Sequence, residues 1–482
     1  MLTRPPIVTI LGHVDHGKTT LLDTIRKSRL ATKEHGGITQ RIGGYEISTG
    51  IKGYDTDKIT FIDTPGHEAF TKLRSRGANI ADIAILIIDA TDSVMPQTVE
   101  SIAHIKTAGI PYIVALNKVD METANTKKVL RDLLKHEVVT EEMGGNVVAM
   151  PISAKEGTGI LELLEAILLI SGELKLDYDI EKEASAYIIE TKKDMRGIIA
   201  SCIIKNGRIK VGDTLYTNKG PVKIRSLIND LGVQVKEVVP SAPFELLGFS
   251  ELPEVGTLIT SSKQEVKPIK EEEKTQPVFD IKSLFSKQEE QKQLAVIIKA
   301  DSQGTLDAII SQLEKNPLIK IILSSVGSIN RSDIFLAKTT KSIVIGFSVS
   351  YDAEVRSLAK QEKVIIKTYE IIYELLDELE EVADILLEKE QKEKSLKAQA
   401  KILATFVIEG ETVFGALITK GRVNVGDMVE VYRGENLTGK SKLVSLKIRA
   451  KSVTEVKKDQ ECGMVFSPQL DIKVGDVVKY TL

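Results

Sequence analysis

Ile7-Val8-Thr9-Ile10-Leu11-Gly12-His13-Val14-Asp15-His16-Gly17-Lys18-Thr19-Thr20 sets the fold of the first part of the chain. An apolar strand, Ile7–Leu11, runs into Gly12–Thr19, which has the spacing G-x-x-x-x-G-K-[ST], and a helical pattern follows from Thr20 to Lys27. Glycines at both ends of such a loop let backbone N–H groups converge on phosphate oxygens. The helix start adds a favourable dipole. Lys18 is placed to reach the β- and γ-phosphates, and the Thr19 hydroxyl to ligate Mg²⁺. Asp15, His16, Gly17, Lys18, Thr19 and Thr20 are the expected nucleotide-binding set in this loop, with His13 and His16 shaping it.

Outward from the loop, residues 1–172 alternate apolar strands (Thr60–Ile62, Ile83–Asp89, Tyr112–Leu116, Val147–Ile152) with helical stretches. Near-continuous apolar strands separated by helices predict a parallel sheet covered on both faces. Three of these strands end in short segments of a specific kind. Asp63-Thr64-Pro65-Gly66 puts a carboxylate beside the metal, bound through water, and an amide at Gly66 beside the γ-phosphate. In Asn117-Lys118-Val119-Asp120, the Asp120 carboxylate can accept paired hydrogen bonds from the ring N–H and amino group of guanine, a pair adenine lacks. Ser153-Ala154-Lys155 offers a backbone N–H to the guanine carbonyl. The ordered set predicts a guanine-nucleotide switch using GTP or GDP and Mg²⁺. Thr39, in Gly36-Gly37-Ile38-Thr39, is the expected switch hydroxyl that completes the Mg²⁺ shell when GTP is bound. His67, directly after Gly66, is the expected catalytic residue, positioning the attacking water.

The whole chain has 482 residues, 68 acids against 65 Lys and Arg, and a formal net charge of -3. Coating nucleic acid through global charge is thereby excluded, while local basic patches are not. Two cysteines, Cys202 and Cys462, exclude a disulfide framework and a cysteine-rich zinc site, and fit a reducing compartment. No apolar run is long enough to span a bilayer, and Met-Leu-Thr-Arg-Pro-Pro lacks a signal core, so the expected location is the cytoplasm, without a membrane partner.

The rest of the chain divides by composition. Residues 180–262 read as a small β-barrel, 263–293 as a solvated linker and 294–369 as an α/β unit. Residues 370–397 read as a connecting helix with Ile371, Leu375, Leu379, Val382 and Leu386 on one stripe, and 398–482 as a second barrel. Lys205–Asp213 is echoed by Lys420–Asp427, and Pro253–Thr257 by Ile472–Asp476, so the two barrels are expected to be of one kind, with turns at the Gly-Asp pairs. The fold class is therefore multidomain: P-loop GTPase domain, β-barrel, α/β/α domain, helix, second β-barrel.

His13–Thr19, Gly37-Ile38-Thr39 and Asp63–His67 together resemble the translational GTPases. The longer strings Asp63–Phe70 and Val94-Met95-Pro96-Gln97-Thr98, with Lys299–Thr305 and Glu461-Cys462-Gly463, resemble bacterial translation initiation factor two over essentially the whole chain. That resemblance implies GTP-dependent recruitment of formylmethionyl initiator tRNA to the small ribosomal subunit, then joining of the large subunit. It implies that ribosomal RNA orders His67 for hydrolysis, that Val14 and Ile38 form an apolar gate, and that Asp15 helps hold a monovalent cation. The protein is expected to be a monomer. The long N-terminal extension of the family is not in this sequence, and its contacts are expected to be missing.

In the last barrel, Leu396–Leu482 carries 14 Lys and Arg against 10 Asp and Glu. Lys447, Arg449 and Lys451 alternate with Ile448 and Ala450, which predicts three cations on one strand face. By the resemblance this stretch lies beside Glu461, Cys462 and Gly463 in an initiator-tRNA site, the favoured reading; the alternative is a solvated strand face. Two other functions remain open at this level: a ribosome-binding module that holds GTP without useful turnover, and a P-loop metabolic kinase. His67 and Thr39 weigh against the first, Asn117–Asp120 against the second.

Overall fold

A computed structural model describes residues 2–26, 43–65, 68–263, 293–394, 396–408, 411–434, 436–449 and 451–481. Thr39, Gly66, His67, Ala450 and the expected linker, save its two end residues, lie outside the described residues. The chain forms two compact units, one ending at Glu380 and one running from Glu381.

The first unit opens with β1 (Leu2–Thr3) and β2 (Ile7–Gly12), followed by α1 (Lys18–Arg26), β3 (Gly43–Ser48) and β4 (Lys58–Asp63). Then come α2 (Thr71–Ile80), β5 (Ile83–Asp89), α3 (Pro96–Ala108), β6 (Tyr112–Asn117), α4 (Thr126–Leu134), β7 (Val148–Pro151) and α5 (Ile160–Leu174). The sheet order is β3-β4-β2-β5-β6-β7. It is parallel except for β3, which runs antiparallel to β4 at the edge, a strand the sequence pattern does not reveal because only Tyr45 of it is fully buried. The period-2 geometry of β5 explains its unbroken apolar run. Ile83, Ile85 and Ile87 enter the core that holds Leu21, Leu163 and Ile167, while Ala84, Leu86 and Ile88 enter the opposite core with Ile102, Ile105 and Leu133.

β8 (Asp177–Tyr178) pairs with β1, and β9 (Ser185–Asp194) and β10 (Gly197–Asn206) begin an eight-stranded antiparallel barrel sheet. The stretch 220–229 forms two strands. Gly220–Lys223 pairs with Thr214–Thr217, and Ser226–Asn229 with Pro243–Leu247. The chain changes partner at Ile224 and Arg225, which is how the sheet turns its corner.

The α/β unit stacks four parallel strands in the order Ile319–Val326, Leu294–Ala300, Ile343–Phe347, Ile366–Tyr369. They are joined by α6 (Gln303–Leu313), α7 (Arg331–Thr340) and α8 (Ala353–Glu362). α9 (Ile372–Lys394) follows, and its buried stripe is Ile372, Leu375, Leu379 and Ala383. Ile371, Val382 and Leu386 of the expected stripe are only half-buried, because the face is rotated by about one residue. Among the described residues no helix is long and apolar enough to cross a membrane.

The second unit is a β-sheet of seven strands in one path plus a short hairpin arm, wrapped on a core of Ile402, Phe414, Ile418, Leu443, Met464 and Tyr480. The internal repeat proves to be one turn used twice. Gly212 and Gly426 have φ +96° and +99°, and the following aspartates accept from Lys210 N and Asn424 N at 2.8 and 2.9 Å. Gly207 and Gly421, at φ +68° and +70°, need glycine for a second reason: a Cβ there would lie 2.6 and 2.1 Å from a backbone carbonyl.

Candidate functional site

The loop between β2 and α1 is bent by Asp15 at φ +63° and Gly17 at φ +95°. Left-handed residues on either side of His16 let backbone N–H groups of such a loop turn to one side at the helix start, the geometry that suits an anion. Gly17 cannot be replaced without displacement, since a Cβ would lie 2.3 Å from Asn117 Nδ2. Lys18 is buried and donates from Nζ to the carbonyls of Gly12 and His13 at 3.1 and 2.5 Å. Burial pulls its ammonium down to about 8, and the Asp63 carboxylate at the end of β4 opposes that pull. His16 is fully buried. Burial, with the charges of His13 and Lys18, takes its imidazole down to about 4. Thr19 and Thr20 lie in the first turn of α1, and Thr24 ties that helix to the Ala154 carbonyl at 2.6 Å.

The expected guanine-reading segments meet this loop through one side chain. Asn117 donates from Nδ2 to the His16 carbonyl at 2.8 Å and accepts at Oδ1 from the Ala154 amide at 2.9 Å. It thereby joins three loops that are about 40 to 140 residues apart in sequence. Ser153 Oγ donates to Asp120 Oδ1 at 2.6 Å and fixes the carboxylate's aim; that bond, more than any charge, holds its pKa below the usual range. Lys118, at φ +63°, pairs with the buried Asp89 at 2.6 Å. Lys155 is exposed at the rim. Gly66, His67 and Thr39 lie outside the described residues; just before them, Thr64 Oγ1 donates to Ile10 O at 2.9 Å.

Among the described residues no group of three His, Cys, Asp or Glu side chains could hold a metal by itself. The donor set present, the Thr19 hydroxyl with the Asp63 carboxylate, suits an ion that takes most of its shell from substrate oxygens and water.

Two contacts at this site escape the sequence reading. Gln97 Oε1 accepts from the Val14 amide at 2.9 Å. Arg74, fully buried, donates from Nη1 to the Pro65 carbonyl at 3.2 Å and from Nη2 to both Glu100 oxygens at 2.7 Å. The signal available was the spacing of Gln97 and Glu100, one helical turn apart.

In the second unit the basic stretch differs from expectation. The strand Asn436–Ile448 ends in a tight turn at Arg449, φ +44°, and the chain returns as Lys451–Val453. Lys447 pairs with Ser452 and Ile448 with Lys451, so Lys447 and Lys451 fall on opposite faces and Arg449 on the tip. A hairpin replaces the single strand because only a straight strand alternates faces. Cys462 is also corrected: it is 5% exposed, its thiol points to the Ala416 carbonyl in the core, and burial pushes it up to about 11. Glu461 and Gly463 remain on the outer face, and Gly463 pairs directly with Lys447 on one side and Gly415 on the other.

Known proteins match this architecture. Residues 3–171 match the family described as Elongation factor Tu GTP binding domain, 183–262 Elongation factor G domain 2, and 270–380 Translation-initiation factor 2. The protein named Translation initiation factor IF-2 in Geobacillus sp. (strain WCH70) is 40% identical over 99% of this chain and 67% of its own length. That of Halothermothrix orenii is 42% identical over 99% of this chain and 71% of its own. A solved structure, GDP-bound aIF5B from Aeropyrum pernix, is 26% identical with a TM-score of 0.48, covering 99% of this chain and 92% of that one. The chain is a GTP-binding enzyme that hydrolyses GTP. Its likeness over 99% of the chain to these relatives, at 40% and 42% identity, places it in the Translation initiation factor IF-2 family, the GTPases of translation initiation.

Proposed function

We propose that this GTPase brings formylmethionyl initiator tRNA to the small ribosomal subunit and promotes joining of the large subunit, hydrolysing GTP when ribosomal RNA engages it. It acts in the cytoplasm as a monomer. The observation that carries the nucleotide half is the Asn117 brace, which holds the phosphate loop and the Asp120–Ser153 pair in one frame. Asp120 then reads guanine, the Ala154 and Lys155 backbone its carbonyl, and Lys18 the β- and γ-phosphates. Thr19, Thr39 and, through water, Asp63 would hold Mg²⁺, which supplies charge neutralisation at the phosphates. Asp15 is assigned to a monovalent cation, the Gly66 amide to the γ-phosphate, and His67 to orienting water.

The tRNA half rests on the outer face of the second unit. Gly415 and Gly463 are paired neighbours there, floored without side chains. Phe406, 53% exposed, lies against Gly415, and Lys447 stands opposite Gly463. A glycine pair covered by the Phe406 ring and Val413, with one cation beside it, suits an apolar aminoacyl group on a phosphate-bearing end. The test is filter binding of formylated and unformylated initiator tRNA to the full chain, with ribosome-stimulated GTP turnover measured in parallel. Tighter binding of the formylated species together with stimulated turnover is expected. GTP binding without stimulated turnover would instead identify a passive ribosome-binding module.

A further inference from the structure

Helix α3 starts with Pro96 at its first position, and Gln97 and Glu100 lie one turn apart on one face. Each reaches a different strand of the reaction site. Gln97 Oε1 accepts from the Val14 amide at 2.9 Å. Glu100 takes Arg74 with both oxygens at 2.7 Å, and Arg74 passes the hold on to the Pro65 carbonyl at 3.2 Å. His104, one turn further, also bonds Glu100 at 3.2 Å. The helix is itself fixed, with Ile102 and Ile105 buried in the core under β5. A buried arginine bound on both sides keeps its geometry, because breaking either contact leaves an uncompensated charge.

We propose that Gln97 and Glu100 are positioning residues for GTP hydrolysis: one face of α3 sets the spacing between the phosphate loop at Val14 and the chain that leads from Pro65 into Gly66 and His67. This inference rests on the reading of His67 as the water-orienting group. Neither side chain needs to touch nucleotide. Each holds a backbone atom whose displacement would move a reacting partner, and small misplacements weigh heavily on rate.

The experiment is single-turnover GTP hydrolysis by the full chain on ribosomes, with GDP affinity measured for the same preparations. Gln97→Met removes the acceptor at nearly constant size, Gln97→Glu restores an acceptor, and Glu100→Gln removes the charge that holds Arg74. Gln97→Met and Glu100→Gln should slow hydrolysis roughly 10-fold or more. GDP affinity should stay within about twofold in both, and Gln97→Glu should recover most of the rate. A purely structural role would lower affinity and rate together and would not be rescued by Glu, which overturns the inference. His67→Ala is run alongside. Wild-type hydrolysis by Gln97→Met beside a slow His67→Ala overturns the positioning role alone, and wild-type hydrolysis by His67→Ala overturns the reading on which it rests.

Discussion

The Gly304 amide donates to the Glu190 carboxyl at 3.1 Å, so a side chain from barrel strand β9 closes the first turn of helix α6 in the α/β unit. Ser302 Oγ and Thr191 N donate to the same carboxyl at 3.2 and 2.8 Å, and a Cβ on Gly304 would lie 2.5 Å from it and 2.7 Å from Leu73 of α2. GTPase helix, barrel strand and α/β helix therefore meet at one glycine, and Arg76 of α2 pairs with Asp307 of α6 at 3.0 Å beside it.

This junction carries a pH signature. Burial raises the Glu190 carboxyl to about 7, and the amide and hydroxyl donors with the Arg76 charge only partly offset it. The folded state then binds a proton that the unfolded chain has released. Stability should therefore be greatest below the ordinary glutamate range and fall as pH rises toward 7, by on the order of 1–3 kcal/mol. Thermal melting of Glu190→Gln across that window should lack this slope. An identical slope in the variant would remove Glu190 as its source.

A second ionic site should behave in the opposite sense. Asp82 accepts from Arg4 at 2.5 and 2.7 Å, from Lys205 at 2.7 Å and from the Ile7 amide at 2.9 Å. Burial opposes its ionisation, but those hydrogen bonds and charges hold the carboxyl below the usual range. Burial also pulls Lys205 down despite Asp82 beside it, so Arg4 is the partner that secures the pair. This contribution is present above the ordinary aspartate range and is lost as pH falls through the lowered value. Asp82→Ala leaves two cations buried without a counter-charge and should cost about 3–5 kcal/mol by chemical denaturation. A loss below about 1 kcal/mol would show that water reaches the site.

Asp120→Asn should move preference from GTP toward xanthosine triphosphate. Ser153 fixes the side chain at 2.6 Å, so the substituted amide meets the base at the same place and presents a donor where xanthine carries a carbonyl. A site reading paired hydrogen bonds discriminates by roughly 10⁴ or more, and competition binding of the two triphosphates measures it. Unchanged GTP preference would mean that another group reads the base.

Lys447 and Lys451 should separate in initiator-tRNA binding. Lys447 faces outward opposite Gly463, whereas Lys451 lies across the hairpin on the other face. Lys447→Ala should weaken binding and reduce the salt slope by roughly 0.7–0.9, the value for one lost phosphate contact. Lys451→Ala should have the smaller effect, and Arg449→Ala, at the tip, an intermediate one. Equal slopes for all three would place the tRNA elsewhere.

Residue type and spacing alone determined the layered GTPase sheet, the loop between its first long strand and helix α1, and the twice-used Gly-Asp turn. These features are local: a strand buried on both faces must be apolar throughout, and a turn at φ +96° must be glycine. The tertiary structure decided what depends on partners distant in the chain. The hairpin that splits Lys447 from Lys451, the inward thiol of Cys462 and the edge strand β3 all follow from pairing register, which residue alternation leaves open. The Asn117 brace, the Gln97 and Glu100 contacts and the Glu190 junction arise because folding removes these polar groups from water, and each must then find its hydrogen-bond partner wherever the fold brings one within reach.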